Sequence, residues 1–244
     1  MTFARRISTI ARRRVYGLFM LKLKPKPGDR ILDVGVSDDT GIGSNMLEQL
    51  YPCRENPTCA SLTDGKLILA AYPGVHHVQI KAGAQLPFDN NEFDIIYSNT
   101  VLEHAGSRVQ QGKFIAEICR VARRRFFAVP DRGFPIEHHT CLPLIHWLPK
   151  SWFRALFRGP RYDFWSHEEN LNCLSTSEIR ALWPGDGHPT FGRSSNVRLR
   201  RNWDRPLEVE PRGLSNFNLR CVLVGGCPMS EPAPRRFLRA AFRN

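Results

Sequence analysis

Asp33 and Gly35 lie in one apolar run, Arg30–Val36, and pose the first chemical question. An acid inside an apolar strand costs free energy unless it is hydrogen-bonded or serves a ligand. A glycine two residues on lets the next loop approach a ligand closely. That loop runs Gly35-Val36-Ser37-Asp38-Asp39-Thr40-Gly41-Ile42-Gly43. A dinucleotide site would read GxGxxG and present a helix N-terminus to pyrophosphate. Here two acids stand where pyrophosphate would be repelled. Such a loop better suits a ligand carrying a cationic sulfonium and an ammonium group.

Four more clusters follow later strand candidates. Asp64 comes after the second strand, where an acid accepts hydrogen bonds from both ribose hydroxyls. Lys81 to Gln85, with Gly83 and Ala84, is placed to read an adenine edge. Ser98 to His104 brings Asn99 and His104, and an imidazole that titrates near neutrality suits deprotonation of a hydroxyl. Pro130 to His139 brings Glu137, His138 and His139. Adjacent residues on an extended stretch point apart, so Glu137 and His139 are read as facing an acceptor and not as metal ligands; no metal is expected.

These residues need elements to hold them. Apolar positions Ile7, Ile10, Ala11, Val15, Leu18 and Phe19 recur at steps of three and four, predicting a helix over residues 4–20 with arginines on its other face. After the breaker cluster Lys24–Asp29, strands are predicted at Arg30–Val36, Thr58–Leu62, Val75–Ile80, Phe93–Ser98 and Phe126–Val129. Helices are predicted at Lys66–Ala71 and Arg108–Ala122. Asn45 with Glu48, and Ser175 with Glu178, read as capping boxes, the second before a helix at Ile179–Trp183. Leu142–Arg158 is aromatic and broken by proline, and two last strands are expected at 190–199 and 217–224. Strand–helix alternation with short connections implies a parallel sheet covered on both faces, with ligands at the carboxyl ends of its strands.

The chain has 244 residues and a net charge of +12, with 42% hydrophobic and 24% charged residues. Those proportions exclude a disordered chain, a collagen and a coiled coil. Residues 1–30 hold nine basic residues against one acid, residues 235–244 hold four basic residues and no acid, and 31–234 are neutral. A nucleic-acid-binding face would more often spread its basic residues, so nucleic acid is the less favoured partner. Basic ends around a neutral body fit either solvated termini or peripheral contact with an anionic membrane. No apolar run reaches the length of a membrane span, and the start does not read as a signal peptide. Seven scattered cysteines without a CxxC read as reduced thiols, and the expected location is cytoplasmic, with membrane contact through the ends as the peripheral variant.

Two stretches carry a family likeness. Arg30–Gly35, RILDVG, resembles the first motif of class I S-adenosylmethionine methyltransferases. Leu86–His104, LPFDNNEFDIIYSNTVLEH, resembles the LPF…FD…LEH stretch of the type 11 branch, and is the more specific of the two. The resemblance implies an α/β, Rossmann-like, seven-stranded and mostly parallel sheet with helices on both faces. It implies S-adenosyl-L-methionine as cofactor, with Asp33 and Gly35 at its methionine end and Ser37 where a second glycine is usual. It further implies Asp64 at the ribose, Gly83 and Ala84 at the adenine, and Asn99 near the sulfonium and acceptor. The common acid after the third strand is absent, Ala82-Gly83-Ala84 standing there instead. The implied organisation is a basic helix and linker over 1–29, a methyltransferase domain over 30–226 with an insertion at 131–170 on the acceptor side, and a basic tail over 227–244.

The expectation is methyl transfer to an oxygen on a sugar, lipid-linked or small-molecule acceptor, with His104, Glu137 and His139 as candidate catalytic residues. Ser98-Asn99-Thr100-Val101 stands where an NPPY-type tetrapeptide would mark an amino-group acceptor. A second reading is a binding or assembly protein that kept the fold and lost catalysis. A third is an RNA or protein methyltransferase that grips its substrate with the basic ends.

Overall fold

A computed structural model of the chain describes residues 3–41, 43–130, 144–158, 163–167, 170–185, 189–193, 197–199, 209–211 and 220–224. The strands are β1 (Ile31–Val34), β2 (Pro57–Ser61), β3 (His76–Gln79), β4 (Phe93–Asn99), β5 (Ala122–Val129), β6 (Thr190–Arg193), β7 (Val197–Leu199), β8 (Val209–Pro211) and β9 (Arg220–Val224). The helices are α1 (Phe3–Leu23), α2 (Met46–Leu50), α3 (Lys66–Ala71), α4 (Arg108–Val121), α5 (Lys150–Phe157), α6 (Asp163–Ser166) and α7 (Thr176–Ala181). The main sheet has the order β3-β2-β1-β4-β5-β9-β6. Strands β1 to β5 run parallel, and β9 and β6 add antiparallel at the β5 edge. The fold class implied by the family likeness is the one observed.

Alternation along the strands splits the core. Ile31, Ile95, Tyr97 and Phe126 face α1 and α2. Leu32, Val34, Ala60 and Ile96 face the Ile118–Val121 side of α4. Side chains two apart on a strand share a face, so one buried sheet needs helices on both sides. A third cluster joins Leu102 and Phe127 to Leu174 and Ile179, anchoring α7.

Helix α1 belongs to this packing. Val15, Tyr16, Leu18, Phe19 and Leu23 are buried, and Phe19 sits edge-on to Tyr97 at 5.0 Å and to Phe126 at 5.5 Å. Its apolar stripe therefore lies on the domain and not in a lipid interface. Among the described residues no helix is long and apolar enough to cross a membrane.

Three expectations are corrected. Asn45 and Glu48 form no capping box: Asn45 is left-handed (φ 42, ψ 57) and makes no cap hydrogen bond, while Glu48 turns into the core. Strand β5 begins at Ala122 and not at Phe126, directly after α4. Its polar start is tolerated because Arg124 leaves the sheet to meet the Leu23 carbonyl and the Asp29 carboxylate. The single strand expected at 190–199 is two, β6 in the main sheet and β7 paired with β8 in a separate ladder. The Ser175–Glu178 capping box is formed, and a further one at Ser107–Gln110 opens α4.

Candidate active site

The strand order turns at β1 and β4: from β1 the chain proceeds outward to β2 and β3, and from β4 the other way to β5. Loops diverge at such a switch point and leave a crevice at the carboxyl edge. Gly35 ends β1 there with φ +99, its N–H donating to the Ala60 carbonyl at 2.8 Å. A Cβ on Gly35 would lie 2.1 Å from Val101 Cγ2, so the chain leaving β4 crosses directly over this glycine. Thr100 is held at φ +58, its N–H donating to the Ala128 carbonyl at 2.8 Å and its hydroxyl to the Asn99 carbonyl at 2.6 Å. A β-branched residue in that region costs about 1–3 kcal/mol and persists only where its surroundings impose it. Ser98 ties β4 to β1 by donating to the buried Val34 carbonyl at 2.9 Å. Next to it, Asn99 Oδ1 is buried and accepts no hydrogen bond.

The loop after Gly35 is closed by its own side chains. Asn45 Oδ1 accepts from the Ser37 N–H at 3.1 Å, and its amide donates to the Ser37 carbonyl at 2.8 Å. Asp39 accepts from the Gly41 N–H at 2.9 Å and the Ser44 hydroxyl at 2.8 Å. Thr63, just past β2, donates to Asp38 at 3.0 Å. Helix α1 braces the far end: Arg12 donates to the Gly43 carbonyl at 2.9 Å, and a Cβ on Gly43 would meet Thr9 Oγ1 at 2.3 Å.

Beneath the loop lies a buried acid pair. Asp33 is 5% exposed and Glu48 is 1% exposed. Both lie against Cys59, which is the strand neighbour of Asp33 and whose thiol donates to Glu48 Oε1 at 3.2 Å, while Glu48 Oε2 is buried and accepts no hydrogen bond. Burial first, then the charge of Glu48 and the bond to it, pushes the Asp33 carboxyl well above the carboxylate range. Burial also raises Glu48 and the Cys59 thiol. Glu48, Asn45, Arg12 and Thr9 were not expected at the site; only the N-x-x-E spacing marked two of them, and it pointed to a cap.

The other expected residues are placed as follows. Asp64 lies three positions past β2, with its carboxylate 56% exposed, 2.7 Å from Lys66 Nζ and 3.2 Å from the Lys66 N–H. The hydrogen bonds from Lys66 hold its carboxyl below the usual range. Ser61, the last residue of β2, is buried and 2.8 Å from His77 Nε2. Gly83 sits in an exposed turn with φ +71 and nothing within 4 Å of where a Cβ would stand. The Ala84 N–H donates to Lys81 within the same turn. His104 closes the 3-10 turn Leu102–His104, its Nδ1 2.6 Å from the Asn170 carbonyl and its Nε2 3.9 Å from the buried Glu103 carboxylate. A carbonyl only accepts, so Nδ1 is the ring nitrogen that donates to Asn170. Glu137 and His139 lie outside the described residues.

The turn that carries His104 is fixed from behind. Buried Gln111 donates to the Leu102 and Asn172 carbonyls at 3.0 and 2.8 Å. Arg108 binds Glu178 Oε1 through Nη2 at 2.6 Å and Nε at 3.1 Å, and reaches the Cys173 carbonyl at 2.9 Å. Among the described residues no three His, Cys, Asp or Glu side chains converge as metal ligands.

Gly35, Asn99 and the Asp33–Glu48 pair fit the methionine end of an adenosyl cofactor: a close backbone approach, an orphaned acceptor and anionic capacity next to the switch point. Asp64, expected at the ribose, is turned to Lys66.

Residues 32–126 match the family model described as Methyltransferase domain, Methyltransf_11. No curated protein matches the chain. The fold is similar to the YcgJ protein from Bacillus subtilis, with 15% identity over 87% of this chain and 97% of that one, TM-score 0.49. It is similar to a SAM dependent methyltransferase from Aquifex aeolicus, with 15% identity over 85% and 88% of the two chains, TM-score 0.47. It is also similar to SAM-dependent methyltransferases from Methanosarcina mazei, with 14% identity over 84% and 97%, TM-score 0.49. Residues 32–126 thus match a methyltransferase-domain family model, and the strand order around their switch point is consistent with a class I methyltransferase.

Proposed function

We propose that the protein transfers a methyl group from S-adenosylmethionine to an oxygen of a sugar, lipid-linked or small-molecule acceptor. The observation that carries this reading is the buried, orphaned Asn99 Oδ1 beside Gly35 at the switch point. A buried acceptor without a donor costs about 1–3 kcal/mol, which a bound ligand would remove. When bound, the cofactor supplies a methyl on a cationic sulfur, taken in line by an acceptor lone pair.

The chain's own residues hold and align. Gly35 turns the chain beneath Val101 at the switch point, Asn99 accepts at the methionine end, and the loop braced by Asn45 and Arg12 closes above Asp33. Ser37, Asp64, Gly83 and Ala84 would line the ribose and adenine side, Ser37 through its backbone. His104 is the proposed base for a hydroxyl, and Glu137 and His139 are proposed to face the acceptor. Alignment and exclusion of water contribute most of such catalysis.

The acceptor class is supported by the segment after β5. Trp147, Trp152, Leu156 and Phe164 are each more than half exposed, on elements that touch one another beside Arg154 and Arg158. Aromatic and aliphatic surface next to arginine suits an acceptor with an apolar tail, or presentation at an anionic membrane. The basic ends would add to such contact.

A second reading, a methyltransferase fold that binds without catalysis, draws on two observations: Val101 packs over Gly35, and Asp64 is engaged by Lys66. Titration calorimetry with S-adenosylmethionine and S-adenosylhomocysteine tests the cofactor site. Binding followed by transfer of a labelled methyl group to lipid, sugar or small-molecule fractions supports the enzyme. Binding without transfer favours the second reading, and transfer to RNA or protein replaces the acceptor class.

A further inference from the structure

We propose that Asp33 and Glu48 hold one proton between them before the cofactor binds, and that the cationic methionine end expels it, so that binding and deprotonation of the pair are one event. The inference rests on the cofactor reading above.

The geometry leaves little alternative for the pair. Asp33 comes from β1 and Glu48 from α2, and both are inside the core. Two carboxylates buried against one cysteine in an apolar interior repel strongly, and sharing one proton removes that repulsion. The groups facing them do not supply a compensating cation. From β2 comes the Cys59 thiol, a weak donor to Glu48. From β4 comes Tyr97, the register partner of Asp33. From α1 Arg12 reaches the loop above, where its guanidinium donates to the Gly43 carbonyl. Among the described residues, no lysine or arginine is paired with either carboxyl. In the loop above, Asp38 is bound by Thr63, and Asp39 by Ser44 and Gly41.

An ammonium and a sulfonium arriving over Gly35 bring the missing positive charge. The proton then leaves to solvent, and the pair becomes an anion paired with the ligand. One ionisation linked to one binding event makes affinity rise roughly tenfold per pH unit while the pair remains protonated in the free protein. Glu48 is thus a positioning residue for the cofactor, acting through Asp33.

Calorimetry of the full chain with S-adenosylmethionine at pH 6.5, in two buffers of different ionisation enthalpy, counts the protons released. At that pH the ligand's amino group is fully charged. About one proton per cofactor is expected, with Kd falling toward about tenfold per unit between pH 5.5 and 7. Glu48→Gln keeps the shape, lets an amide N–H donate to an already ionised Asp33, and leaves an oxygen for the Cys59 thiol. In that variant, release falls to near zero and Kd becomes flat with pH. The two site histidines, His77 and His104, are untouched by the substitution, so protons they lose appear equally in both proteins. Binding with no proton release by the unaltered chain, or equal release by both proteins, overturns the inference and leaves the cofactor site standing. No binding by the unaltered chain overturns both. If Glu48→Gln fails to fold by circular dichroism, the proton count and pH slope of the unaltered chain decide alone.

Discussion

Removing Phe19 tests whether α1 is part of the domain. The ring is fully buried between Tyr97 and Phe126, both edge-on, at 5.0 and 5.5 Å. Phe19→Ala takes out the ring and leaves a cavity that three strands and a helix cannot close. The expected cost is about 3–5 kcal/mol. For a chain of this size that lowers the thermal midpoint by about 6–20 °C. Total stabilities run from about 5 to 15 kcal/mol, so the variant folds but with little reserve. Urea unfolding followed by tryptophan fluorescence, with circular dichroism melts alongside, measures it. Ile10→Ala, at a position 39% exposed on the same helix, changes stability by no more than about 0.5 kcal/mol. A loss below about 1 kcal/mol for Phe19→Ala would refute the docking of α1 and return its apolar stripe to a lipid-facing role.

Three other expectations are concrete. Arg108→Ala unfastens α4 from α7 and the 172–173 backbone, and is expected to cost about 2–4 kcal/mol in urea unfolding. Burial raises the Glu178 carboxyl, but the Ser175 N–H and hydroxyl and the Arg108 guanidinium outweigh it and bring it down to about 2. A depressed acid stabilises above its unfolded value near 4.5, and the contribution is lost as pH falls toward 2, so the gap between the chain and Arg108→Ala should narrow over that window. Gly35→Ala places a Cβ against Val101 at φ +99 and is expected to weaken S-adenosylmethionine binding more than about tenfold by calorimetry, with about 1–3 kcal/mol of strain; unchanged affinity would count against the switch-point site. With an acceptor that turns over, His104→Gln is expected to lower kcat by about 100-fold or more with the cofactor Kd unchanged, and an unaltered kcat would remove the base role.

The parallel sheet was legible because its strands are short apolar runs at regular spacing, and Ile31–Val34 or Phe93–Asn99 could be little else. The α4 boundaries were equally plain from its stripe of Phe114, Ile115, Ile118 and Val121. What failed was local chemistry decided by distant partners. Asn45-x-x-Glu48 has the spacing of a cap, yet Asn45 serves Ser37 and Glu48 meets Asp33, contacts that no local pattern encodes. The arginines of 123–125 hid the start of β5, since each finds its own partner in the fold: Arg123 meets Asp94, Arg124 meets the Leu23 carbonyl and Asp29, and Arg125 meets the Cys119 carbonyl. For the site, Gly35, Asn99 and His104 stand at or just past the ends of β1 and β4, the edge at which the strand-end rule put them. The same rule also singled out Asp64, whose carboxylate lies at the surface 2.7 Å from Lys66, a pairing within one turn that the rule does not reveal.

The edge strands have a consequence for how the chain matures. Strand β5 ends at residue 129, but the strand that covers its open side, β9, begins at residue 220. At ribosomal speeds of about 5–20 residues per second, the row of amide and carbonyl groups on β5 waits for roughly 5–18 seconds before its partner exists. Parallel strands β1 to β5 are thus assembled, if at all, as a half-finished layer with a sticky border. A nascent chain of this kind is a natural client for chaperones. A protein cut after Pro130, although it holds the whole family-matched segment, is expected to aggregate or to recruit a second copy along β5.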